Sequence, residues 1–251
     1  AVSNGILSCS PTATAIALDD FPDDGLFFRS IATDSLQAAA IAREAQATGA
    51  SSVAIIHVDD AYGRPYAEAV ANALGDDIAV ETIAVPVDDD DFTDELDLLV
   101  ELDPQVVVSV GNGQTIAASL QAMGERDDLS VPRIFVNDAA RSAATRPVIA
   151  ELPATIRNRV EVIAPQITLR DGAVPEDDTA FGPQVTDCVS LIALSASQGG
   201  SDTPDVIASQ MSSVSDGGNV CRDFATCALR LLDNQEIDYD GPTGITDLGR
   251  N

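Results

Sequence analysis

Between residues 26 and 137 short apolar runs alternate with amphipathic stretches, and turn residues mark each change. LFFRSI (26–31), SVAIIHV (52–58), IAVETIAV (78–85), PQVVVSV (104–110) and RIFVN (133–137) read as strands. Residues 52–58 are apolar almost without interruption, as expected of a strand covered on both faces. Helices are predicted between them, at 33–49, 62–74, 91–102 and 113–124. The first has Thr33 or Asp34 as N-cap, Gln37 at the capping-box position and Gly49 as C-cap. Five strands alternating with four helices through short loops predict an α/β fold. Its parallel sheet carries helices on both faces, with right-handed crossovers.

The flanks are less regular. GILSCS (5–10) is a short strand ended by Pro11, and VEVIAPQ (160–166) is another. Helices are expected within 179–200, ending at a glycine pair, within 203–214, with Pro204 near the first turn, and at 222–232. The closing segment YDGPTGITDLGRN is turn-like, with one short strand, GITD. No run of about 18 apolar residues suggests a transmembrane helix.

Ligands of parallel α/β sheets bind outside the carboxyl ends of the strands. Four segments lie there: SPTAT (10–14), DDAYG (59–63), GNG (111–113) and NDAAR (137–141). The small hydroxyls and amides of Ser10, Thr12, Thr14, Asn112 and Asn137 suit a carboxylate. Asp138 suits an ammonium through a charge-assisted hydrogen bond, and Tyr62 can cover an apolar stem. Together these describe a site for a small zwitterion, although each residue alone is equally at home capping a loop.

Charge narrows the classes. There are 41 acids against 13 bases, every base is arginine, and the net charge is −28. Such a surface opposes nucleic acid and anionic membranes, which need basic patches. The run Asp88, Asp89, Asp90 and Asp91 reads as solvated surface, because consecutive side chains point apart and rarely form a metal cage. The single histidine, His57, lies inside a predicted strand and reads as a sheet residue. Neither GxSxG nor GxGxxG nor a P-loop occurs. No catalytic residue, cofactor or metal site is predicted. A metal-dependent enzyme using Asp59, Asp60 and Asp138 is the competing reading from another functional class.

Of four cysteines, Cys221 and Cys227 lie six apart where a loop runs into a helix. A local disulfide fits there and would suit an exported protein; two buried thiols are the alternative. Cys9 and Cys188 are a possible second pair for which the spacing sets no distance.

FR-S-x-x-TDSLQ (28–37), VDDAYGR (58–64) and YDGPTG (239–244), taken together, resemble the branched-chain amino-acid-binding proteins of ABC importers. These belong to the type I periplasmic-binding-protein superfamily, and the likeness spans nearly the whole chain. It implies a two-lobed protein that closes on its ligand by a hinge and works with a membrane permease. Residues 1–33 and 164–251 would form the first lobe and 34–163 the second. Ser10, Thr12, Ala13 and Thr14 fall where such proteins hold the ligand's carboxylate and ammonium. Tyr62 matches their second-lobe aromatic and Asp138 their ammonium-gripping acid. Asn112 and Thr186 stand where aromatics are common, so a branched-chain ligand is not implied. A sensory receptor domain would share the same fold. Roughly two βα units present in the family ahead of the position of Ala1, and a closing crossover, have no counterpart here. The first lobe is therefore expected to be incomplete, loosely ordered or covered by another chain, self-association included. The implied location is periplasmic or cell-surface.

Overall fold

Alternate residues of SVAIIHV pack into different cores, and this divides the larger half of the molecule into layers. In the computed structural model, which describes residues 1–87, 91–142, 145–165 and 181–244, Ser52–Val58 is a strand (β3). Val53 and Ile55 join a cluster with Ala38, Ile41, Tyr66 and Val70. Ala54 and Ile56 join a second cluster with Phe92, Leu96, Ile116 and Leu120. Each fully buried valine or isoleucine contributes about 1.5–3 kcal/mol, so a strand buried on both faces is a strong organiser.

The described chain divides into two compact units. Unit 2 comprises Ala15–Ala17 and the described residues of Thr33–Pro165. Its sheet contains β3, β4 (Ala79–Val85), β5 (Val106–Val110), β6 (Arg133–Val136) and β7 (Val160–Val162). The order is β4-β3-β5-β6-β7 and every pairing is parallel. Strand order reverses at β3, with β4 on one side and β5 on the other, which creates a switch-point crevice at the carboxyl ends of β3 and β5. Helices α1 (Asp34–Ala47) and α2 (Gly63–Leu74) cover one face. Helices α3 (Thr93–Leu102) and α4 (Gly113–Gly124) cover the other. Two short helices, α5 (Thr145–Glu151) and α6 (Ala154–Arg157), lead into β7.

Local chemistry explains where these helices begin. Thr33 and Asn112 cap α1 and α4 by accepting from Leu36 N and Thr115 N. Asp60 Oδ1 accepts from Tyr62 N and Gly63 N ahead of α2. Asp91, the described member of the acidic run, accepts from Thr93 N at 3.0 Å and from the Thr93 hydroxyl at 2.6 Å. Asp88, Asp89 and Asp90 lie outside the described residues.

Unit 1 comprises Ala1–Thr14, Leu18–Ala32 and the described chain after Pro165. It holds two parallel strand pairs, β1 (Ser8–Ser10) with β2 (Phe27–Arg29), and β8 (Asn219–Cys221) with β9 (Ile237–Tyr239). Helices α7 (Gly182–Gly199), α8 (Pro204–Gln210) and α9 (Phe224–Leu232) complete it. Its core gathers Phe28, Leu191, Leu194, Met211, Ile237 and Tyr239, among others. Both disulfides lie in this unit: Cys9–Cys188 ties β1 to α7, and Cys221–Cys227 ties β8 to α9. Buried Asp187 on α7 accepts from the hydroxyl of Tyr239 at 3.0 Å and from the backbone N–H and hydroxyl of Thr243. Gly241 permits this approach, because a Cβ there would overlap the Asp187 carboxylate.

Several expectations change. LFFRSI supplies β2, which pairs with β1 in unit 1; the fifth strand of the large sheet is β7 instead. Alternation in sequence counts strands but does not say which sheet each joins. β8 and β9, three residues each, are too short for periodicity to reveal. Gln37 does not close a capping box: the cap is Thr33, which puts Leu36 at the reciprocal position, and the Gln37 side chain turns inward. The cap residue of α1 is Thr48, and Gly49 follows with φ of 76°. GITD falls almost wholly outside the described residues. Among the described residues no helix is long and apolar enough to cross a membrane.

Candidate ligand-binding site

At the carboxyl ends of β3, β5 and β6 the chain brings polar groups together from four places. Tyr62 lies in the turn after β3, Gly111 follows β5, Asn137 and Asp138 follow β6, and Asp34 and Gln37 come from the first turns of α1. Asn137, fully buried, is the junction. Its Nδ2 donates to the Tyr62 hydroxyl at 3.0 Å and the Gly111 carbonyl at 3.2 Å, with Asp138 Oδ1 at 3.5 Å. Its Oδ1 accepts from Gly111 N at 3.4 Å. Asn137 thereby joins the end of β6 to the end of β5 and to the Tyr62 ring.

Below it lies a second layer. Gln37 Oε1 accepts from the Tyr66 hydroxyl at 2.8 Å and from the backbone N–H of Asp138 at 3.0 Å. Gln37 Nε2 is 3.5 Å from Asp34 Oδ1. The rings of Tyr62 and Tyr66 meet edge to face with centroids 5.9 Å apart. The cluster therefore offers two carboxylates, two tyrosines and two amides at one end of the sheet.

Electrostatics follow from burial. The Asp138 carboxyl is pushed above the ordinary carboxylate value by burial, opposed by hydrogen bonding to Gln37 and by the charge of Arg141. Burial also pushes the hydroxyls of Tyr62 and Tyr66 up, and the neighbouring charges of Asp34 and Asp138 add to this. Both phenols stay protonated at neutral pH and serve as neutral donors. A cationic ligand group would relieve the crowding of negative charge.

The predicted residues fare differently. Tyr62 and Asp138 meet in this cluster through Asn137. Asn112 is spent as the N-cap of α4, its Oδ1 holding Thr115 N at 3.0 Å. In unit 1, Ser10 Oγ accepts from Ala13 N at 3.0 Å and Thr12 N at 3.4 Å, so this serine shapes the SPTAT turn. Thr14 is buried and Thr12 exposed. Thr186 is exposed, its hydroxyl donating back to the Gly182 carbonyl. Asp34, Gln37 and Tyr66 were not expected at a site. In sequence they look like an N-terminal acid, a capping-box amide and a core aromatic of amphipathic helices.

The acids of the competing enzyme reading have other employment. Asp60 starts α2, and Asp59 is paired with Arg64, whose hydrogen bond holds the Asp59 carboxyl below its usual value. Among the described residues no group of three or more metal-ligating side chains converges. His57 Nδ1 lies 3.0 Å from the Val58 carbonyl, a partner within the sheet.

A profile of the periplasmic binding protein family matches residues 1–146, more than half of the chain. BasB of Halobacterium salinarum, a substrate-binding protein of a chemotactic signal transduction system, is 27% identical over 261 residues. That match takes in 97% of this chain and 60% of BasB, so the chain spans about 60% of the length of this curated relative. The leucine-binding protein LivK of Thermotoga maritima has the same fold, with a TM-score of 0.67 at 15% identity over 85% of this chain and 63% of its own. An extracellular ligand-binding receptor from Rhodopseudomonas palustris HaA2 gives 0.66 at 16% identity, over 99% and 72%. A solute-binding protein of an R. palustris ABC transporter, solved with benzoate, gives 0.64 at 15% identity, over 86% and 62%. Strand-end polar clusters on a parallel sheet and the profile match agree: this chain belongs to the type I periplasmic binding proteins, a family of solute-binding proteins.

Proposed function

We propose that the chain is the extracytoplasmic binding component of an ABC importer, taking up a small polar solute, an amino acid, and handing it to a membrane permease. The observation that carries this is the cluster at the carboxyl ends of β3, β5 and β6, where Asn137 brings the Asp138 carboxylate and the Tyr62 hydroxyl together, an acid beside a neutral phenol that suits an ammonium. Tyr62 covers the ligand's carbon stem. Asn112 contributes as the cap that fixes the head of α4. Two disulfides fit an oxidising compartment outside the cytoplasm.

Thermal unfolding of the purified protein with each of the standard L-amino acids, and with benzoate as the aromatic-acid control, tests the reading. A ligand at a hundred times its Kd adds about 2.7 kcal/mol to stability, which is readily seen as a raised melting temperature. An amino-acid shift abolished by Asp138→Asn supports the proposal. A shift with benzoate alone would replace it with a carboxylate-only ligand.

A second reading has one observation in its favour: the relative BasB is named for chemotaxis. Here the same binding event would inform a transducer. Deleting the gene and measuring uptake of the bound ligand beside migration toward it separates the two roles.

A further inference from the structure

We infer that Gln37 is a positioning residue for ligand binding, its side-chain amide tying α1 to the turn after β6 and holding Asp138 in place. This rests on the reading of Asp138 as the ammonium-binding acid. Gln37 is 4% exposed, in a setting where an apolar side chain would pack at no polar cost. A buried primary amide is tolerated only when its donors and acceptor are satisfied. Here its partners lead to the proposed site. Oε1 accepts from Asp138 N, 101 residues away, and from the Tyr66 hydroxyl, while Nε2 faces Asp34. One side chain thus sets the Asp138 backbone, the buried tyrosine and the second carboxylate against one another.

The position is the fourth residue after the Thr33 cap, one beyond the capping-box position, where a glutamine would ordinarily be solvated. Instead the cap hydrogen bond goes from Leu36 N to Thr33, and Gln37 faces inward. Charged and titratable groups around Asp138 are Asp34 on α1, Tyr62 and Tyr66 beside and within α2, and Arg141 in the turn that follows Asp138. Hydrogen bonding to Gln37 favours the ionised carboxylate against its burial. Losing Gln37 should therefore misplace Asp138 and also make it harder to ionise.

The test reads Asp138 directly. In the unliganded full chain, carbon-13 NMR follows the Asp138 carboxyl through a pH titration, with Asp138→Asn identifying the signal by subtraction. Gln37→Met, close in shape and without either polar group, is expected to raise the Asp138 midpoint by about half to one pH unit. It should also weaken binding of the tightest L-amino acid about three- to tenfold, the effect of one hydrogen bond. Gln37→Glu is the second variant. It retains an acceptor for Asp138 N and Tyr66, but its added charge raises the midpoint by itself, so only its ligand affinity is compared with that of Gln37→Met. A midpoint and an affinity both unmoved in Gln37→Met, with the melting temperature lowered, would mean that Gln37 serves folding alone and would overturn the inference. If the reading of Asp138 itself is wrong, Asp138→Asn binds as well as the parent chain while the NMR midpoints still report on Gln37.

Discussion

Asn137 Nδ2 lies 3.0 Å from the hydroxyl of Tyr62, across 75 residues of sequence, and the same amide satisfies both backbone groups of Gly111. One side chain therefore bridges the ends of β5 and β6 and the turn after β3. Asn137→Ala should leave buried partners without bonds and lower the unfolding free energy by about 1–3 kcal/mol. Urea denaturation of the two proteins measures this. An unchanged midpoint would show that water replaces the amide at no cost.

Gly63 opens α2 under the end of β3. A Cβ there would overlap the Val58 carbonyl oxygen and come within 2.7 Å of Val58 Cγ1. Gly63→Ala must shift α2 or β3, at a cost of about 1–3 kcal/mol. Because Tyr62 precedes it, ligand affinity should fall together with the melting temperature. A variant as stable as the parent would sink this account of the DAYG turn.

Burial holds the Asp138 carboxyl above its ordinary value. The folded chain then binds this proton more tightly than the unfolded chain does. The stabilisation is complete below the unfolded value and is lost as pH rises through the folded one. At neutral pH Asp138→Asn should therefore make the unliganded protein more stable, a gain that disappears once pH drops below about 4. Denaturation midpoints of both proteins at neutral and acid pH give the answer, and a variant less stable at neutral pH contradicts it. The same substitution should abolish amino-acid binding, a stability cost accepted for function.

The two disulfides should differ in weight. Cys9 and Cys188 are 179 residues apart and Cys221 and Cys227 only six. By loop-closure entropy the long link contributes about 5 kcal/mol and the short one about 2 kcal/mol. Cys9→Ala with Cys188→Ala should thus expose unit 1 to protease far more than Cys221→Ala with Cys227→Ala, and the sheet of unit 2 should survive as a resistant fragment in both. Equal susceptibility of the two double variants would refute the ranking.

Much of unit 2 is legible in the chain because its central strands β3, β5 and β6 are buried on both faces. SVAIIHV needs no tertiary information to be read as β3, and GQTIAASLQAMG matches α4 residue for residue. Sheet membership is not local, so LFFRSI continues the same alternation in sequence although β2 belongs to unit 1. The proposed site is half visible. Tyr62 and Asp138 stand at strand ends, where the strand-end rule points. Asp34, Gln37 and Tyr66 lie inside helices, and only the packing of α1 and α2 on one face turns them toward Asp138. Cysteine spacing favoured the local Cys221–Cys227 bridge and could not rank Cys9–Cys188, whose partners meet only through the fold.

The Cys9–Cys188 bond also changes how the chain carries load. The segment from Thr33 to Pro165 lies wholly inside the covalent loop it closes. If the protein is gripped anywhere before Cys9 and anywhere after Cys188, tension passes from one sulfur to the other and bypasses the intervening chain. The five-stranded sheet is mechanically shunted: it can unfold and refold without lengthening the molecule between the grips. Until that bond is reduced, the chain also cannot pass a narrow pore in single file, because the looped segment must follow as a doubled strand.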